Sequence, residues 1–166
     1  KVLLEMSELR SVPCEDDVEL GPLSEEVLTD LAPLAEDKDV TLDCAGDALT
    51  IGSDTLLYRL VFNLVENAIR YSRPGSTVNV SICDTDSHVF LRVKDQGPGV
   101  PKQYRESIFL PFFRLDKSRS RAYGGAGLGL ALVWEIVALH GGAVEVEASS
   151  ENGTTMLVTL SKGPTT

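Results

Sequence analysis

Asn63, Asn67 and Arg70 fall at i, i+4 and i+7 in the stretch NLVENAIRYS, residues 63–72. That spacing sets two carboxamides and a guanidinium along one stripe of a helix otherwise built from Leu, Val and Ile. Polar groups on such a stripe are costly in a core unless they are paired. An amide oxygen is a hard donor suited to Mg²⁺, and a guanidinium forks onto phosphate oxygens. The plainer alternative has both Asn side chains bonding nearby backbone and Glu66 pairing with Arg70 on the surface, worth roughly 0.3 kcal/mol. This segment leaves both open. In VKDQGPGV, residues 93–100, a strand delivers Asp95 into a turn where Gly97 and Gly99 allow a ligand close to the backbone. A fixed carboxylate there can accept a hydrogen bond from the exocyclic amine of adenine; an Asp-Gly turn between two elements is the ordinary reading. The third stretch, RLDKSRSRAYGGAGLGLALV, residues 114–133, carries four bases (Arg114, Lys117, Arg119, Arg121) and one acid, then glycines, then an apolar helix. Glycine-rich backbone opening a helix presents amide N–H groups at the positive end of the dipole, a site for phosphate. The basic run ahead of it can close over that phosphate as a lid, though a solvated loop is the commoner fate of such a run. No Lys-Ser/Thr follows the last glycine, which excludes a P-loop. Gly125-x-Gly127-x-Gly129 lacks a third glycine at the right distance and follows no strand, which makes it a poor dinucleotide fingerprint.

These groups need elements to hold them. Residues 1–10, KVLLEMSELR, have helical apolar spacing that Pro13 stops, and ten residues are too few for a stable helix alone. A helix is expected from about Pro22, with Leu23, Val27, Leu31, Leu34 and Ala35 as its stripe and a kink or break near Pro33. VTLDC reads as a strand. Asp54 is placed to cap a long helix running to about Tyr71, whose buried side is Leu56, Leu57, Leu60, Val61, Leu64, Val65 and Ala68. Val78, Val80 and Ile82, then Val89, Leu91 and Val93, alternate as a hairpin. ESIFLPFF is a short helix or turn, and residues 114–126 form a long loop. A helix follows from about Gly127 to His140, ended by Gly141-Gly142, and AVEVEAS and TTMLVTL close a second hairpin. The fold class is α/β, with helices on one face of a mixed, mostly antiparallel sheet.

Composition narrows the ligand. The 166 residues are 43% apolar, enough for one core, and carry a net −10. Residues 114–121 hold a net +3, so the remainder holds −13. A basic island on an acidic chain suits a small anion better than nucleic acid or an anionic membrane. No apolar run approaches the roughly 18 residues of a membrane span, and no signal peptide opens the sequence. The chain begins mid-pattern without Met and reads as a piece of something longer. Cys14, Cys44 and Cys83 form no CxxC pair, so they are expected as buried or half-buried thiols of a reducing compartment, with no disulfide or zinc site.

Taken in order, NLVENAIRYS, DQGPGV, IFLPFFR, GGAGLGLALV and NGTTMLVTL resemble the N, G1, F, G2 and G3 boxes of sensor histidine kinases. The resemblance covers about residues 16–161. It implies a two-layer Bergerat (GHKL) fold, the catalytic and ATP-binding module of such a kinase over residues 13–166, and ATP with Mg²⁺ as the cofactors. Residues 1–12 then resemble the end of the dimerisation and phosphoacceptor hairpin. By the same resemblance Asn67 ligates Mg²⁺, Asn63 sits beside the phosphates, Arg70 contacts phosphate, Tyr71 packs on the adenine and Asp95 holds its amine. Gly97 and Gly99 shape the pocket, and Arg114 reaches the γ-phosphate. Gly125, Gly127, Leu128 and Gly129 let the lid close on the nucleotide, and Thr154 or Thr155 lines the adenine pocket. The implied reaction transfers the γ-phosphate to a histidine on an upstream helical domain, for relay to an aspartate of a response regulator. The fragment is expected to be a cytoplasmic monomer and its parent a homodimer, with an inner-membrane anchor in the parent left open.

Leu110 departs from the pattern, standing where the family usually places an acid, which alters how the lid is anchored. Neither His88 nor His140 is followed by the acid and proline of a phosphoacceptor box, so both are expected to be structural. Two other readings remain. In the gyrase, chaperone and mismatch-repair ATPases of the superfamily a Glu base stands where this chain has Asn63, and an amide cannot take a proton from water. A degenerate docking module would not need intact boxes.

Overall fold

The computed structural model describes residues 15–113 and 129–162. The stretch 1–10, Cys14, the run 114–126, and with it Arg114, Gly125, Gly127 and Leu128, lie outside the described residues. Strand β1 (Asp16–Glu19) leads directly into helix α1 (Leu20–Lys38). Strands β2 (Thr41–Gly46) and β3 (Leu49–Gly52) precede α2 (Asp54–Tyr71). The hairpin of β4 (Thr77–Asp84) and β5 (His88–Lys94) is followed by 3₁₀ turns at Lys102–Tyr104 and Ser107–Phe109. Helix α3 (Gly129–Leu139) and the hairpin of β6 (Ala143–Ser150) and β7 (Gly153–Ser161) complete the described chain.

The main sheet has the order β2-β4-β5-β7-β6, in which only β2 and β4 run parallel. Period-two alternation sends one side chain in two toward the helices. Val80, Val93, Met156 and Val146 are partners across one row, and Ile82, Leu91, Val158 and Val144 across the next. Helix α2 lies between α1 and α3 and buries Leu56, Leu57, Leu60, Val61, Leu64, Val65, Ala68 and Ile69. Truncating one of these, Leu60→Ala, costs about 2–5 kcal/mol of stability through lost transfer energy and the cavity left. The site-bearing helix is thereby held by its apolar side while its polar stripe stays at the margin.

Several local expectations are corrected. Helix α1 begins at Leu20 and passes through Pro33 without a break. Pro33 and Thr29 are both exposed, so the carbonyl that loses its i+4 donor is open to water and the helix survives the missing bond. The start of α1 is capped from a distance: Asp47 Oδ1 accepts from the Gly21 amide at 2.7 Å and from Ala48 at 2.8 Å. The cap of α2 is Ser53, whose Oγ accepts from Leu56 N at 3.2 Å, and Asp54 is the first helical residue. Strands β1 and β3 form a separate two-stranded sheet that no periodicity announced, since DDVE offers one apolar residue. Cys83 is exposed rather than buried, whereas Cys44 is half-buried and its thiol is pushed up by burial and then by Glu25. Leu34 only borders the core.

Candidate functional site

Helix α2 presents its polar stripe as the spacing requires. Asn63 Nδ2 donates to Arg59 O at 2.7 Å, so the plainer reading holds for that residue. Its Oδ1 faces the first turn of α3, 3.3 Å from where a Cβ on Gly129 would sit. One turn on, half-buried Asn67 makes no side-chain hydrogen bond among the described residues. Arg70 pairs with Glu66 at 3.5 Å, with both side chains partly solvated, an interaction worth a few tenths of a kcal/mol, roughly 0.3.

Asp95 terminates β5 and is buried, 7% exposed. Its Oδ1 accepts from the Gly97 amide at 2.9 Å and the Thr154 amide at 3.1 Å, while Oδ2 accepts no bond from the described residues. Burial pushes its pKa up and the two amide bonds pull it down, with burial prevailing. The turn holding it needs glycine for two reasons. A Cβ on Gly97 would lie 2.4 Å from Tyr71 O, and Gly99 combines φ +86 with a Cβ position 2.1 Å from Ser150 O. Gly153, at φ +146, presses equally close, its Cβ position 2.1 Å from Asp95 O.

The strand register separates the two threonines. Thr154 is buried and its amide reaches Asp95. Thr155 pairs with Lys94 and turns to the opposite, outer face of the sheet. Of the two, only Thr154 joins the cluster. The contacts then run continuously from Gly129 to Asn63, along α2 past Asn67 to Tyr71, and from Tyr71 through Gly97 to Asp95 and Thr154. The eight helical steps from Asn63 to Tyr71 rise about 12 Å, the scale of a nucleoside triphosphate laid along the helix. One end offers an acceptor in a glycine nest and the other offers amides and a helix N-terminus.

Beyond the candidates named from sequence, the structure adds groups that brace this cluster. Arg73 donates from Nη2 to Glu151 O at 2.6 Å and from Nη1 to Gln96 O at 3.4 Å. Arg105 donates to Val100 O at 3.3 Å and Ser149 O at 3.2 Å. Ser149 joins Val100 and Thr154 through its hydroxyl. Their signal in the sequence is faint, because each works through backbone atoms far away along the chain. Both histidines do structural work: His88 Nδ1 meets Ser87 Oγ at 2.7 Å, and His140 bridges Ile136 O (2.8 Å) and the Ser53 amide (3.1 Å). Phe109 is buried against Trp134 at 5.4 Å, while Trp134, Leu110 and Phe112 are 51%, 58% and 60% exposed.

A mixed sheet of three antiparallel pairs and one parallel pair layered with helices, with a buried acid nested by glycines at one end of a polar helix stripe, defines an ATP-binding module of the Bergerat type. Residues 52–164 match the family described as histidine kinase-, DNA gyrase B-, and HSP90-like ATPase. This chain belongs to that family. It is 35% identical over 163 residues to the sensor-like histidine kinase SenX3 of Mycobacterium tuberculosis, covering 95% of this chain and 40% of that relative. The chain therefore spans less than half the length of the relative it matches. Among solved structures, the mycobacterial sensor histidine kinase MprB superposes with a TM-score of 0.76 at 31% identity, covering 91% of this chain and 99% of that one. Full-length ShkA, solved in complex with AMPPNP, gives 0.84 at 25% identity over 99% of this chain and 35% of that one.

Proposed function

We propose that this chain is the catalytic module of a sensor histidine kinase, which binds Mg²⁺-ATP and delivers the γ-phosphate to a histidine carried on a separate helical domain. Phosphoryl transfer asks for charge neutralisation, alignment and exclusion of water rather than covalent chemistry by the protein. Asp95 accepts from the adenine amine through Oδ2, Tyr71 borders the base, and Gly97 and Gly99 let it approach the backbone. The carboxamide of Asn67 fits a hard cation, because it is half-buried and otherwise without a hydrogen bond among the described residues. Asn67 would hold the cation together with the phosphate oxygens of the nucleotide. When bound, Mg²⁺ neutralises the phosphate charge. Asn63, Arg70 and the amides at Gly129 line the phosphate end, and Arg114, Gly125, Gly127 and Leu128 belong to the lid over it.

The observation that carries the kinase reading is Asn63. Its amide nitrogen is already committed to Arg59 O, and a carboxamide has no basic atom to activate water. A hydrolase needs such a base here; a kinase whose nucleophile arrives on another domain does not. That domain must approach where the γ-phosphate lies, beside the exposed Trp134, Leu110 and Phe112. An amphipathic helical hairpin is the partner suited to that apolar rim, and a response regulator aspartate would receive the phosphoryl group next. Among the described residues no helix is long and apolar enough to cross a membrane. Titration calorimetry with a non-hydrolysable ATP analogue and Mg²⁺, followed by transfer to a supplied acceptor domain, tests the proposal. Binding and transfer are expected. Steady hydrolysis without acceptor, abolished by Asn67→Ala, would instead identify an ATPase.

A further inference from the structure

Ser149 sits near the end of β6, where its hydroxyl has two partners from different parts of the chain. The Val100 amide donates to Ser149 Oγ at 2.7 Å, and Thr154 Oγ1 lies 2.9 Å from the same oxygen. We propose that Ser149 is a positioning residue for base selection, fixing the Gly97–Val100 turn and aiming the Thr154 hydroxyl so that the site prefers adenine. The proposal rests on the reading of Asp95 and Thr154 as the nucleobase end of the site.

The two partners of the Ser149 hydroxyl, the Val100 amide and Thr154 Oγ1, carry it. One hydroxyl proton must lie between Ser149 and Thr154, and each hydroxyl has only one to give. Either hydroxyl can donate in that bond, and one that accepts from Val100 can still accept once more; the proposed orientation has Ser149 donating to Thr154. Thr154 then accepts from Ser149 and keeps its own proton to donate into the site. Its amide meanwhile donates to Asp95 Oδ1 at 3.1 Å, leaving Oδ2 as an acceptor. The pair presents one acceptor beside one donor. Adenine offers the complement, an amine beside a bare ring nitrogen; guanine offers the reverse, a carbonyl beside a ring N–H. Without the Ser149 hydroxyl, Thr154 is no longer oriented as a donor and the Val100 amide is released. Gly99 completes the fit, since its Cβ position is 3.1 Å from Ser149 Oγ. The backbone tie is separate: Arg105 bridges the carbonyls of Val100 and Ser149 at 3.3 and 3.2 Å whether or not the hydroxyl is present.

The test measures Mg²⁺-complexed AMPPNP and its guanosine counterpart on the full chain by titration calorimetry, for wild type, Ser149→Ala, Ser149→Thr, Ser149→Cys and Asp95→Asn. Ser149→Ala is expected to weaken the adenine analogue about tenfold and to leave weak guanine binding unchanged, so that selectivity falls. Ser149→Thr, which keeps the hydroxyl, should restore both. Ser149→Cys, similar in size but a poor hydrogen-bonding group, should behave like Ala and serves if Ala fails to fold. Wild-type selectivity in Ser149→Cys or Ser149→Ala, or an equal loss for both bases, overturns the proposal. Failure of the wild type to bind AMPPNP, or unchanged binding in Asp95→Asn, overturns the reading beneath it; weakened Asp95→Asn beside unaffected Ser149 variants overturns this inference alone.

Discussion

Asp95 is a buried acid whose stability cost and functional value pull in opposite directions. Burial raises its pKa above its ordinary value, so the folded chain holds that proton more tightly than the unfolded chain does. Stability is then highest below the ordinary range and declines as pH climbs through it toward the folded-state pKa. Asp95→Asn preserves Oδ1 as acceptor for Gly97 and Thr154 and removes the charge. It is expected to leave the fold as stable as wild type or more so at neutral pH, an advantage that fades near pH ~3, while adenine nucleotide affinity falls at least about tenfold. Urea titrations at the two pH values and calorimetry check both halves; a destabilised mutant at neutral pH refutes the assigned cost. Asn67→Ala separates metal from base: it should lower Mg²⁺-dependent affinity about tenfold and leave metal-free nucleotide binding alone. Much of the site was legible at this scale, because helix spacing and an Asp followed by glycines are local signals. The choice between Thr154 and Thr155 was not, since it depends on strand register, and Ser149 and Gly153 act through atoms remote along the chain.

Helices α2 and α3 run side by side with the site near one end and His140 at the other. Nδ1 of His140 meets Ile136 O, which makes Nε2 the acceptor for the Ser53 amide, and the ring sits on Gly52, where a Cβ would come within 2.5 Å. One side chain thus fastens the end of α3 to the start of α2. His140→Ala is expected to cost about 1–2 kcal/mol by leaving that amide unpaired, measured by urea unfolding with nucleotide absent. Pro33 is the converse case. It withholds a bond from an otherwise continuous α1, so Pro33→Ala should stabilise by about 1–3 kcal/mol; no gain would mean the carbonyl of Thr29 is already satisfied. The sheet and α2 could be read in advance because alternation and helical stripes repeat over many residues. The β1–β3 ribbon, four residues a strand, and the cap of α1 by Asp47 could not, being settled by tertiary contact.

The whole molecule distributes its charge and its apolar surface unevenly. The acidic chain, −10 overall, keeps polyanions away, and four of its basic residues fall within residues 114–121. Leu110, Phe112 and Trp134 are the most exposed of the large apolar side chains among the described residues, and Trp134 packs on Phe109. Leu110 is informative here, because an acid at this position would interrupt the rim. If this rim receives the acceptor hairpin, its loss must affect encounter with the acceptor and not nucleotide binding. Trp134 is the side chain to test, since its ring leans on buried Phe109 with half its surface still in water and aromatic anchors dominate such contacts. Trp134→Ser should slow transfer about tenfold at low acceptor concentration, with the rate recovering as acceptor is raised. Nucleotide affinity should stay within about twofold of wild type, since Trp134 packs on Phe109, which is not among the groups assigned to ATP. Initial transfer rates across an acceptor series decide it. A rate that stays low at saturating acceptor points to damage at the phosphate end of α3, and an unchanged rate at every concentration removes the docking role from this surface.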